Sequence, residues 1–106
     1  MNLAISLPQQ FIEEFCDRWQ IDELSLFGSI LRNDFHPESD IDLLVTFAPN
    51  ADWSLLDHAK MQQELVETLG REVDLITKRA IERSSNWIRR QEILSTAQTI
   101  YAKQSR

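Results

Sequence analysis

The sequence predicts an α/β (α+β) domain, a small sheet with helices packed on it, and three observations carry that prediction. Segments with apolar residues at helical spacing alternate with short apolar runs of strand character. Only two Gly and three Pro interrupt the chain, and no repeat, low-complexity tract or Gly/Ser linker divides it. Its 106 residues, 42% hydrophobic and 26% charged, suffice for one core and not two, so residues 1–106 read as a single domain.

Pro8 suits the first turn of a helix running to about Trp19, because Phe11, Ile12, Phe15 and Trp19 then share one face. Leu24, Leu26 and Phe27 form a short strand that runs into a turn at Gly28-Ser29, after which Ile30, Leu31 and Arg32 suit a short helix. The polar, Pro-broken stretch Asn33–Ser39 reads as a loop. It feeds Asp40–Phe47, the clearest strand. Side chains alternate across a strand, so Ile41, Leu43, Val45 and Phe47 face the core, and Asp40, Asp42, Leu44 and Thr46 take the other face. Ser54 and Asp57 have capping-box spacing at the start of a helix that ends at Gly70, a good residue for the position after a helix. Glu72–Thr77 follows as a third strand, with Val73 and Leu75 inward and Asp74 opposite. A helical segment is expected around Arg79–Arg83, and a last helix from about Asn86 to Tyr101, with Trp87, Leu94, Ala97 and Tyr101 on one stripe. The tail from Lys103 is expected to fray.

With 17 Asp and Glu against 11 Lys and Arg, the formal net charge is −6. Binding a phosphate backbone without help needs clustered cations, so either nucleic acid is not the direct partner or another chain supplies the positive charge. The lone Cys16 can form no intramolecular disulfide and reads as a core or boundary residue of the first helix. Residues Met1–Pro8 lack a basic segment followed by a long apolar one, and no run of about 18 apolar residues could span a bilayer. The expectation is a cytoplasmic protein with no membrane partner.

Asp40 and Asp42, flanking Ile41 on an otherwise apolar strand, set two negative charges close together on one surface. Such a pair is relieved by a cation between them; the alternative is a solvated strand start. Carboxylates without His or Cys nearby favour Mg²⁺ or Mn²⁺ over zinc. At Gly28-Ser29 the backbone can approach a ligand closely, and the free N–H groups of a following helix start suit a phosphate. If the second and third strands are neighbours, Asp74 joins Asp40 and Asp42. Three carboxylates beside a phosphate-sized turn would make a two-metal site for in-line attack at phosphorus.

Gly28-Ser29, ten residues, then Asp40-Ile41-Asp42 resembles the Gly-Ser-x10-Asp-x-Asp motif of the DNA polymerase beta-like nucleotidyltransferases, and Asp74 matches their third carboxylate. Over roughly Leu3 to Ala102, the chain looks like the minimal nucleotidyltransferases, antitoxins often encoded beside a HEPN-domain toxin. The resemblance implies a small mixed sheet of the polymerase beta-like fold. It further implies that Asp40 and Asp42 hold Mg²⁺, in a two-ion site, and that Asp74 helps ligate an ion or draws the proton from the attacking hydroxyl. Gly28 and Ser29 would hold the triphosphate of ATP. Arg32 matches a basic position of the motif and would contact phosphate or only pair with Asp34 or Glu38. Asn33 stands where the family has Gly, a substitution that a left-handed conformation tolerates. The implied activity is transfer of AMP from ATP to a tyrosine hydroxyl of a HEPN toxin, in a hetero-complex.

Other readings stay open. A binding-only antitoxin would keep the fold and mask its partner, and a small transferase could act on RNA or on a small-molecule hydroxyl such as an aminoglycoside's. His36 and His58 lack partners at metal spacing and read as loop or helix-surface residues, although His36 could touch a nucleotide. Trp19 and Trp87 read as core aromatics, and Trp53 as core or as part of a partner-binding surface. Arg79, Arg83, Arg89 and Arg90 make the C-terminal third basic: a solvated face, or a site for an acidic partner or for RNA that the partner holds.

Overall fold

The computed structural model describes residues 8–28 and 40–103. Its elements run α1 (Gln9–Arg18), β1 (Ile21–Phe27), β2 (Ile41–Phe47), α2 (Leu55–Leu69), β3 (Val73–Thr77), α3 (Lys78–Glu82), α4 (Trp87–Thr96) and β4 (Gln98–Ala102). The four strands form one mixed sheet in the order β3-β2-β1-β4. β2 and β3 are parallel and joined through α2, as a parallel pair needs a crossover, while β1 is antiparallel to both β2 and β4.

Local chemistry accounts for most boundaries. Pro8 sits at the N-cap of α1, and Ile12, Phe15 and Cys16, at helical spacing, are buried. Burial pushes the Cys16 thiol up to about 12, so it stays neutral and packs as a small apolar group. α2 opens with the expected capping box: the Asp57 N–H donates to Ser54 Oγ at 3.2 Å, and the Ser54 N–H donates to Asp57 Oδ2 at 3.0 Å. It closes at Gly70, left-handed at φ 71°, whose N–H donates to the Val66 carbonyl.

The sheet is packed on both faces. On one lie α1 and α2, with Ile12, Phe15, Met61 and Leu65 over Leu24, Leu26, Ile41, Leu43, Val45, Val73 and Leu75. On the other, Phe27 and Leu44 pack against Ile81 of α3 and Ile93 of α4, joined by Ile76 and Ala97. Leu44, placed by alternation with Asp40 and Asp42, is therefore 5% exposed under a second apolar layer.

Three expectations are corrected. The last helix does not reach Tyr101: α4 ends at Thr96, and Gln98–Ala102 turns into β4. The β-branched and aromatic run Thr99-Ile100-Tyr101 pairs with the edge of β1, which would otherwise leave backbone groups unpaired. Trp87 is 61% exposed rather than core. Lys103 is still tethered, its N–H donating to the Asp22 carbonyl at 2.7 Å. Trp53 packs within the chain, edge-on to Trp19 at 5.1 Å between ring centroids, with its indole N–H donating to the Trp19 carbonyl at 2.9 Å. No helix among the described residues is long and apolar enough to cross a membrane.

Candidate active site

The site forms where β1 ends and β2 and β3 begin. Phe27 is opposite Asp42, and Asp42 is opposite Asp74, so one row of residues crosses the three strands. The Ile41 N–H donates to the Glu72 carbonyl at 2.9 Å, which starts β2 and β3 in step. Neighbouring strands lie about 4.8 Å apart, so the register brings the Asp42 and Asp74 carboxylate side chains to adjacent positions on one face. Asp42 is half-buried and Asp74 exposed, and exposed Asp40 stands one residue before β2.

Gly28, left-handed at φ 79°, abuts Asp42 directly. A Cβ at Gly28 would fall 2.3 Å from Asp42 Oδ2 and 3.2 Å from its Cγ. A side chain at this position would displace the Asp42 carboxylate from where it stands, and the left-handed backbone itself favours Gly. Ser29 and Arg32, with Asn33, His36, and the short helix and loop expected over residues 29–39, lie outside the described residues.

Among the described residues, no three His, Cys, Asp or Glu side chains close into a metal-holding group. The donors present still fit Mg²⁺. That ion keeps several waters and is held by one or two carboxylates plus substrate phosphates, not by an all-protein cage. Asp42 beside Asp74, oxygen donors next to a backbone open to a phosphate, is such a partial set.

Two residues that position this row escaped the sequence reading. β3 is an edge strand, and α2 covers its outer side: the Leu75 N–H donates to Gln62 Oε1 at 3.2 Å, and His58 Nε2 lies 2.7 Å from the Leu75 carbonyl. Both backbone groups of Leu75 are thereby paired, and β3 is fixed next to Asp74. Nothing in the sequence marks Gln62; His58, read as a surface residue, is half-buried in this contact.

A mixed sheet carrying acidic residues at the start of paired parallel strands, opposite a glycine turn, is the framework of a nucleotidyltransferase. The chain belongs to the nucleotidyltransferase domain family, whose profile matches residues 8–99. It is similar to the protein adenylyltransferase MntA of Thermococcus cleftensis, at 33% identity over 70 residues, 66% of this chain and 69% of that protein. Against the first curated relatives, from Methanocaldococcus jannaschii, it spans 59% to 65% of their length, under two thirds. In fold it matches a chain of a toxin–antitoxin crystal structure with AMP-PNP, with TM-score 0.69 and 22% identity, covering 92% of this chain and 76% of that one. It also matches a chain of the tri-AMPylated Shewanella oneidensis HEPN toxin in complex with its MNT antitoxin, with TM-score 0.60 and 20% identity over 90% and 70% of the two chains. At those identities the two structures speak to the fold alone.

Proposed function

We propose that this chain is a Mg²⁺-dependent nucleotidyltransferase of the cytoplasm that moves AMP from ATP to a tyrosine hydroxyl of a cognate HEPN-domain toxin and so acts as its antitoxin. The observation that carries this reading is the row Gly28–Asp42–Asp74, a turn without a side chain pressed against the Asp42 carboxylate, whose register partner is Asp74. Its support from relatives is the adenylyltransferase name of MntA and an AMPylated toxin in a complex of the same fold.

Asp40 and Asp42 would hold Mg²⁺, with Asp74 completing the donors or taking the acceptor's proton. Bound there, the ion supplies Lewis-acid stabilisation of charge on the phosphates. Gly28 leaves its backbone open to the triphosphate, which Ser29 and Arg32 would also contact. The hydroxyl oxygen forms a bond to the α-phosphorus, the bond from that phosphorus to the bridging oxygen breaks, and pyrophosphate leaves in line. The hydroxyl proton passes to a carboxylate, a role that Asp74 would fill.

The test incubates the protein with Mg²⁺, α-phosphate-labelled ATP and the purified product of the adjacent gene or, failing that, a host lysate. Label on a protein band with wild type, and none with Asp42→Asn at unchanged melting temperature, is the expected result. Equal labelling by both would sink the assignment. The alternative reading is a binding-only antitoxin, which keeps this fold and neutralises its partner by masking a surface. In that case Asp42→Asn still neutralises the toxin and wild type transfers nothing.

A further inference from the structure

The two edges of the sheet are treated differently. At β3, both backbone groups of Leu75 are taken by Gln62 and His58 of α2. At β4, the other end of the strand order, no element among the described residues pairs with the outer backbone groups. An open edge is a template for a further strand, and proteins blunt it with charges, Pro or a bulge. Gln98–Ala102 contains no charge and no Pro, and Thr99, Ile100 and Tyr101 all favour strands. Its one irregularity is a bulge at Ile100, which falls between the pairs Leu24–Tyr101 and Ser25–Thr99, so the edge suits a short added strand.

The charge beside this edge identifies what pairs with it. Ile100 and Tyr101 pack on the sheet face that α1 covers. Arg18 and Trp19 of α1 both donate to Glu64 of α2, which fixes the flank of α1 that looks away from β4. Glu13 and Asp17, one turn apart, take the other flank. Asp17 and Asp22 border one small cavity of about 240 Å³ with Tyr101, and Lys103 also borders it. Partial burial raises the pKa of the Tyr101 hydroxyl, and the charges of Asp17, Glu13 and Asp22 raise it further, as carboxylates close by do. Arg18, the only cation in residues 9–23, is held on the far flank, so three carboxylates stand near Tyr101 against one lysine. A second copy is a poor occupant. Antiparallel pairing of β4 with its own copy keeps both α1 helices on one face of the joined sheet and brings the two sets of carboxylates towards each other.

We infer that the open edge of β4 takes up an extended segment of a partner protein as a further strand, with Lys or Arg at alternate positions on the side that faces α1. Main-chain hydrogen bonds hold the added strand, and the carboxylates select its side chains, because every second residue of a strand lies on one face. The probe is the capped peptide Thr-Lys-Val-Lys-Val-Lys-Val-Thr, titrated into the full chain while amide exchange and melting temperature are recorded. Two control peptides separate the contributions. Glu in place of each Lys reverses the charge, and Pro in place of each Val keeps the charge but removes N–H groups that a strand needs. Pairing on β4 gives saturable binding of the Lys peptide, slowed exchange over Gln98–Ala102, and binding of both controls weaker by about tenfold or more. The double variant Glu13→Lys, Asp17→Lys loses about tenfold or more at unchanged melting temperature, and added salt weakens the wild-type complex. Equal binding of the Pro peptide means attraction without strand pairing and overturns the inference. No binding, affinity unchanged in the double variant, or binding that leaves exchange over Gln98–Ala102 unchanged overturns it as well. Self-association of wild type in sedimentation, with exchange over β4 already slow, overturns it in favour of a second copy.

Discussion

Gly28 and Gly70 share a left-handed backbone, φ 79° and 71°, and differ in what surrounds them. A Cβ at Gly70 meets nothing within 4 Å, so Gly70→Ala carries only the conformational cost, about 1–2 kcal/mol. Gly28→Ala carries that cost and also drives a methyl group into Asp42 Oδ2. The expected outcome is a similar or larger loss of stability in denaturant unfolding for Gly28→Ala, with nucleotide transfer lost in that variant and retained in Gly70→Ala. Retained transfer in both would mean that the close approach to Asp42 has no part in the chemistry. The motif marked Gly28 in the sequence, and Gly70 was marked by its place after a helix. That one glycine touches a carboxylate and the other touches nothing is a fact about tertiary neighbours.

At the scale of elements, the hydrogen bonds from α2 to β3 explain how an edge strand is kept in register. Edge strands leave a row of backbone groups unpaired, and here Gln62 and His58 occupy both groups of Leu75. Gln62→Ala should leave the Leu75 N–H without its partner, at a cost of about 1–3 kcal/mol. We expect faster amide exchange at Leu75 and a fall in transfer rate, because Asp74 is the next residue. Unchanged exchange at Leu75 would argue that water replaces Gln62 without loss. Element boundaries were legible where local chemistry fixes them, as at the Ser54–Asp57 box and Gly70. The C-terminal segment was misread because Trp87, Leu94, Ala97 and Tyr101 do fit a helical stripe. What decides for a strand over Gln98–Ala102 is the open edge of β1, a partner some 75 residues away in sequence for Ser25 and Thr99.

For the whole molecule, the consequential feature is a second apolar layer. Leu44 lies two residues beyond Asp42 on the same face and is sealed beneath Ile81 and Ile93. Leu44→Ala should cost about 2–5 kcal/mol in denaturant unfolding, as a buried leucine does. A cost below about 1 kcal/mol would mean that α3 and α4 do not pack as a layer on the sheet. This layer also turns the amphipathic α4 outside in: its single buried residue, Ile93, faces the sheet, and its larger apolar side chains face outward. Periodicity places Trp87 and Leu94 together on one stripe and is silent on whether that stripe meets a core or a partner.

The sequence by itself determined the mixed α and β composition, most element boundaries, the glycine turn and the acidic residues, because each depends on neighbours a few positions apart. It also carried the family, through a motif with fixed spacing. The tertiary structure alone decided that β2 and β3 are parallel neighbours in the register that puts Asp42 beside Asp74, that β4 closes the edge of β1, and which side of α4 is buried. Those depend on contacts between segments far apart along the chain, where competing pairings satisfy the same local pattern and packing selects among them.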